Sequence, residues 1–85
     1  MRRLERYVSQ AVVDASIDVF LSDWEHQHPD IDIEIGSVDI DDVCMLVKVK
    51  MLVDVYDREI NVLLYADTHT AADHIYEALW KEASK

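Results

Sequence analysis

The chain contains few of the residues that build loops, disulfides and phosphate-binding turns. Its 85 residues include one glycine, one proline and one cysteine. A lone cysteine excludes an intramolecular disulfide and a cysteine-based zinc cluster, and one glycine cannot form a glycine-rich nucleotide loop. No apolar run approaches the roughly 20 residues of a membrane span, and no signal-peptide h-region follows the first residues. We therefore expect one cytoplasmic domain, residues 1–85, with short loops and no membrane association.

Basic residues are scarce as well. Lysine and arginine number 8 against 18 aspartates and glutamates, which gives a formal net charge of -10. No lysine or arginine lies between Arg6 and Lys48, whereas ten acidic residues do. This charge repels phosphate backbones, so we expect no direct nucleic-acid binding, but it would attract a basic protein surface. The alternative is that the acidity increases solubility or reflects adaptation to a salt-rich host.

What the sequence has in quantity is strict alternation of apolar residues. Every odd position in 43–55 is aliphatic or methionine, and the pattern continues at even positions in 60–66. Period-two alternation is typical of a strand with one buried face. The change of parity predicts a two-residue hairpin turn at Asp57–Arg58. That turn would place Leu52 opposite Leu63 on the exposed face.

A further strand is predicted in 31–40, ahead of this hairpin. Its apolar positions change parity at Gly36–Ser37, which indicates a β-bulge. A tight turn at Asp41–Asp42 would then lead into the next strand. In that register Glu34 lies opposite Lys48, an opposite-charge pair on the solvent face.

Helices are predicted at both ends, over Arg2–Gln27 and Thr68–Lys85. The first ends before Pro29, because the residue preceding a proline is disfavoured in helical conformation. It has two apolar stripes on nearly opposite sides. One stripe consists of Leu4, Val8, Ala11, Val12, Ala15 and Val19, and the other of Val13, Ile17, Phe20 and Trp24. The second helix is amphipathic. The element order α-β-β-β-α predicts an α+β two-layer sandwich, with a three-stranded antiparallel meander and two helices on one face.

Two candidate binding surfaces follow from this arrangement. Carboxylates clustered around the first strand form an acidic surface for a basic partner: Asp30, Asp32, Glu34, Asp39, Asp41 and Asp42. Apolar residues on the helix and on the exposed sheet face form a candidate oligomer interface: Val13, Ile17, Phe20, Trp24, Leu46, Leu52, Leu63 and Tyr65. Aromatic residues such as tryptophan are enriched at interface hot spots.

Residues for catalysis or metal binding are sparse. His26 and His28, followed by Asp30, could share a metal only if the chain is extended there, because on a helix they point about 200° apart. Cys44 has no neighbouring base in sequence, so we interpret it as a bystander thiol. We predict no catalytic residue and no cofactor.

The sequence thus favours a small acidic, non-enzymatic protein-interaction module. We expect a homo-oligomer, most simply a homodimer, that acts as an inhibitor or decoy of a basic, nucleic-acid-handling protein. Carboxylates placed like phosphates would occupy a cationic groove on that protein. One alternative is a small metal-dependent or acid–base enzyme that uses His26, His28 and Asp30. The other is a structural oligomerising domain.

Overall fold

The computed structural model describes residues 2–41, 43–64 and 68–85, and it describes side chains from residue 10 onward in helix α1 and from residue 69 onward in helix α2. The elements are α1 (Arg2–Gln27), β1 (Ile33–Asp41), β2 (Leu46–Val53), β3 (Tyr56–Leu63) and α2 (Thr68–Ala83). The strands form one antiparallel sheet in the order β1-β2-β3. This confirms the α+β class and the α-β-β-β-α order.

Helix α1 ends where the sequence predicts. The backbone N–H of His28 donates to the carbonyl of Trp24 at 2.7 Å, and Pro29 follows directly. The indole Nε1 of Trp24 then donates to the carbonyl of Ile31 at 2.9 Å. This bond ties the chain that leaves α1 back to the helix and directs it into β1.

The predicted bulge in β1 is confirmed. The pairing with β2 shifts between Ile35 and Ser37, so Gly36 is the additional residue. Because a bulge adds one residue, it reverses the parity of the strand. Its effect is to keep Glu34 and Asp39 on the same outer face and aliphatic side chains on the inner face on both sides of the bulge.

The core lies between the inner face of the sheet and the two helices. It contains Val13, Ile17, Phe20 and Trp24 of α1, Val47, Val49, Met51 and Val53 of β2, Ile60 and Val62 of β3, and Ala71, Ile75, Leu79 and Ala83 of α2, with Leu64. The interface prediction is therefore wrong for the four α1 residues. Their stripe carries the larger side chains, which bury more apolar area against the sheet and α2 than the alanine-rich stripe could.

Both predicted hairpin registers are wrong. Ile40 pairs with Val47 rather than with Val43, and residues 43–45 lie in the first turn, where Met45 has a φ of 52°. Val53 pairs with Tyr56, so the second turn is Asp54–Val55 rather than Asp57–Arg58. Side chains alternate with period two, so any register shift by an even number of residues leaves the same residues inward. The alternation therefore could not select between these registers.

The shifted turns relocate several apolar side chains. Val43 and Val55 lie at turns and are 92% and 73% exposed, instead of facing the core. Leu63 pairs with Leu46 at one end of β2, while Leu52 pairs with Asp57 at the other end. The expected Leu52–Leu63 contact is therefore absent from the described sheet.

Candidate protein-interaction site

The acidic residues predicted around β1 occupy the outer face of the sheet and the segment that leads into it. Glu34, Asp39 and Asp41 alternate with the inward aliphatic residues of β1, and all three are exposed. Asp30 and Asp32 precede the strand and are also exposed. Asp42, the sixth predicted residue, lies outside the described residues.

The middle of the outer face carries charges of both signs. Lys48 lies between Asp39 of β1 and Asn61 of β3, and Lys50 lies opposite Glu59. The predicted pairing of Glu34 with Lys48 is wrong, because the observed register places Glu34 opposite Leu52 and Lys48 opposite Asp39. Opposite charges on directly paired residues attract each other, so this part of the face offers little net charge to a partner.

One end of the outer face concentrates carboxylates without a lysine in register. Glu34 and Asp57 lie on either side of the half-buried Leu52, and their Cα atoms are about 10 Å apart, two strand spacings. The backbone N–H of Asp54 donates to the carbonyl of Asp32 at 2.8 Å, which brings the β2–β3 turn beside the start of β1. We call Asp32, Glu34, Asp54 and Asp57 the acidic corner. All four residues are exposed.

Two members of the acidic corner, Asp54 and Asp57, were missed by sequence reasoning because it placed the second turn at Asp57–Arg58. The sequence did contain a signal for the observed turn, namely an aspartate at position 54. Asp54 adopts a φ of 58°, and aspartate tolerates the left-handed region better than most residues, which makes Asp54–Val55 an acceptable hairpin turn. Arg58 does not neutralise the corner, because it pairs with inward-facing Met51 and its guanidinium lies 5.7 Å from the ring centroid of Tyr56.

Asp41 has a structural role in the first turn. Its Oδ1 accepts the backbone N–H groups of Val43 at 2.9 Å and of Cys44 at 3.2 Å. These bonds, Cys44 first, hold the pKa of Asp41 below its ordinary value of 3.8. A lowered folded-state pKa means that this contact stabilises the fold above pH 3.8 and that the stabilisation is lost as the pH falls through the lowered value.

The histidine cluster does not assemble into a ligand set. His26 is exposed in the last turn of α1, whereas the ring of His28 packs against Trp24 with centroids 4.3 Å apart. Within residues 2–41, 43–64 and 68–85, no three His, Cys, Asp or Glu side chains are placed to hold a metal ion. Cys44, in the first turn, is exposed.

Aromatic rings join the two helices at one end of the core. Trp80 contacts Phe20 edge-on, with centroids 5.6 Å apart, and Trp24 at 5.0 Å. The hydroxyl of Tyr76 donates to Asp23 Oδ2 at 2.5 Å. This bond to a carboxylate raises the pKa of Tyr76 above its ordinary value of 10.0, because ionisation of the phenol would remove the donated proton.

The Tyr76→Phe variant should lose about 1 kcal/mol of unfolding free energy at pH 7, because it retains the ring but loses this hydrogen bond. A raised folded-state pKa means that the bond stabilises the fold below pH 10.0 and that its contribution is lost as the pH rises through the raised value. Urea denaturation of both proteins at pH 7, 9 and 11 measures the difference. A difference that stays constant to pH 11 would contradict this assignment.

The apolar stripe left uncovered is the other side of α1. Val12, Ala15 and Val19 line a groove of about 420 Å³ together with Ala72 and Tyr76 of α2. Val19 is 53% exposed. Of the sheet residues predicted for an interface, Leu46 and Leu63 form an adjacent pair on the outer face, and Tyr65 lies outside the described residues.

Compared with models of protein families, with curated proteins and with solved structures, the chain matches none of them. Across the described ranges, no helix combines the length and the apolar character needed to cross a bilayer. The acidic corner and the uncovered side of α1 are therefore the features of this chain from which a function can be inferred.

Proposed function

We propose that this chain is a small acidic protein-interaction module, not an enzyme, and that it binds a basic protein surface through the acidic corner. The observation that carries the proposal is the grouping of Asp32, Glu34, Asp54 and Asp57 around Leu52, with no lysine in register on either side. The β1 bulge and the β2–β3 turn together produce this grouping.

The physical basis is electrostatic attraction combined with a small apolar centre. Four carboxylates grouped at one corner of the sheet create a negative potential that accelerates encounter with an arginine- or lysine-rich surface. The half-buried Leu52 offers an apolar contact that such a partner would cover. Charges at the rim of an interface act mainly on the association rate and on its salt dependence. We therefore expect binding that weakens steeply with salt.

The finer proposal is that the chain competes with nucleic acid for the same basic surface. Outward carboxylates two residues apart on a strand are about 6.7 Å apart, a spacing of the same order as that of phosphates along a nucleic-acid strand. A cationic groove that receives phosphates would accept this row. The chain would then act as an inhibitor or decoy of a nucleic-acid-handling protein.

Matched charge reversals test the site. The corner variant is Glu34→Lys with Asp57→Lys, and the mid-sheet variant is Asp39→Lys with Glu59→Lys. Both change the net charge by the same amount on β1 and β3 of the same face. Binding of a fluorescent octa-arginine peptide is measured by anisotropy at 50 and 200 mM salt, with a DNA duplex as competitor. We expect the corner variant to bind about tenfold more weakly and the mid-sheet variant to bind at most about threefold more weakly.

Equal losses in the two variants would show that net charge alone attracts the peptide, which is the expectation if the acidity serves only solubility, and would contradict the proposal. Circular dichroism of each variant checks that the sheet is intact. Failure of the DNA duplex to compete with the wild-type chain for the peptide would overturn the decoy proposal while leaving the binding site in place.

A further inference from the structure

The helix layer has an uncovered apolar face on the side away from the sheet. Ala11 and Ala15 are exposed, Val19 is 53% exposed, and the groove of about 420 Å³ beside them continues onto Ala72, Asp73 and Tyr76 of α2. The hydroxyl of Ser16 is bonded to the carbonyl of Val12 at 2.8 Å. This face therefore presents small and aliphatic side chains along several turns of α1.

The length of α1 limits what can cover this face. Its 26 residues span about 39 Å of the 43 Å long axis of the molecule. Helix α2, with 16 residues, is about 24 Å long, and the longest strand, with nine residues, about 30 Å. No other element of the described chain is as long as α1. The element that matches it in length is the α1 helix of a second copy.

The charges on α1 favour an antiparallel arrangement of two such helices. Its first two turns contain three arginines and one glutamate, and the remainder contains four carboxylates and no lysine or arginine: Arg2, Arg3, Arg6 and Glu5, then Asp14, Asp18, Asp23 and Glu25. Antiparallel pairing sets the basic end of each helix beside the acidic part of the other, whereas parallel pairing sets acid beside acid. Antiparallel helix dipoles also attract each other.

We infer that a second copy of this chain covers the outer face of α1, in a two-fold symmetric dimer whose α1 helices run antiparallel and cross near Ala15. Ala15 lies near the midpoint of Arg2–Gln27, so a two-fold axis beside it lets the two helices overlap over their full length, and its small side chain allows close approach. With a width of about 10 Å each, α1 and α2 offer about 600 Å² per partner, the lower limit for a stable complex. The dimer has a sheet on each outer side and leaves both acidic corners exposed.

The free edge of β1 is a poorer site for a second copy. Pairing two β1 edges would extend the sheet, but it would set the outward carboxylates Glu34, Asp39 and Asp41 of the two strands side by side. Like charges on neighbouring strands destabilise the pairing. Charged edge strands are a common means of preventing such association.

A matched pair of substitutions tests the surface. Val19→Glu places a charge in the inferred interface, and Val55→Glu places the same charge on a turn that is 73% exposed. Sedimentation velocity of the full chain should give twice the 9.9 kDa of one chain for the wild type and for Val55→Glu. Val19→Glu should raise the dimer dissociation constant at least about 100-fold. The inference would be overturned if the wild type were monomeric at 200 μM. It would also be overturned if neither substitution changed the dimer dissociation constant.

Single cysteines test the orientation in a Cys44→Ser background. Ala15→Cys lies beside the two-fold axis and should form an intermolecular disulfide on mild oxidation, since bridged Cα atoms lie 4.4–6.8 Å apart. Val19→Cys should not, because in an antiparallel pair the two copies of residue 19 are separated by about 12 Å along the helix. Disulfide formation at both positions would indicate parallel helices and overturn the antiparallel arrangement. These outcomes are independent of peptide binding at the acidic corner.

Discussion

Replacement of Trp24 with alanine is expected to lower the free energy of unfolding by about 4 kcal/mol, the usual cost of deleting a buried aromatic side chain. Trp24 is 4% exposed and contacts the rings of Phe20, His28 and Trp80. Domains are stable by only about 5–15 kcal/mol in total. The variant should therefore lose a large share of its stability and unfold at a much lower urea concentration than the wild type, which denaturation followed by far-UV circular dichroism measures.

A conservative variant separates packing from hydrogen bonding at this position. Trp24→Phe keeps an aromatic ring in the core but removes the Nε1 donor to the carbonyl of Ile31, which lies at 2.9 Å. We expect it to cost about 2 kcal/mol, from the lost bond and the smaller ring. If Trp24→Ala lost less than about 2 kcal/mol of unfolding free energy, the burial of Trp24 among the rings of Phe20 and Trp80 would be contradicted.

Deletion of Gly36 should have the second largest effect and lower the free energy of unfolding by about 3 kcal/mol. Removal of the bulge residue reverses the parity of the rest of β1, so Val38 and Ile40 would turn outward and Asp39 would turn toward the core. The cost combines the lost apolar burial of two aliphatic side chains with partial burial of a carboxylate. Urea denaturation measures it, and hydrogen exchange of β1 amides should show reduced protection.

The control for this deletion is Gly36→Ala, which retains the bulge. Gly36 does not have a positive φ, and a Cβ placed on it would lie 3.5 Å from the carbonyl oxygen of Lys50, an ordinary contact. We therefore expect a change within about 0.5 kcal/mol of wild type. Equal losses for the deletion and for Gly36→Ala would contradict the view that the extra residue, rather than the properties of glycine, is what β1 requires.

Two residues of the acidic corner could be predicted from the sequence, and the other two could be identified only from the tertiary structure. Asp32 and Glu34 could be assigned from sequence because their strand alternates clearly and they point away from its aliphatic residues. Asp54 and Asp57 could not, because their positions depend on which residues form the β2–β3 turn. A shift of the turn from Asp57–Arg58 to Asp54–Val55 moved them beside β1, while Val49, Met51 and Ile60 still face the core.

The two stripes of α1 posed a similar problem. Helical periodicity identified both, but nothing local indicated whether Phe20 and Trp24 or Ala15 and Val19 would face the sheet. The structure buries the first pair and leaves the second exposed. The choice depends on the volume enclosed between β2, β3 and α2, which the larger aromatic side chains fill.

By itself, the sequence determined the element types, their order, the bulge at Gly36 and which face of β2 and β3 is buried. These properties follow from local rules, namely apolar periodicity, the restriction before proline and parity along a strand. Only the tertiary structure decided the hairpin registers, the buried side of α1 and the composition of the acidic corner. The physical reason is that a period-two pattern is unchanged by even shifts and a helix apolar on two sides has two acceptable orientations, so packing between elements distant in sequence must select among them.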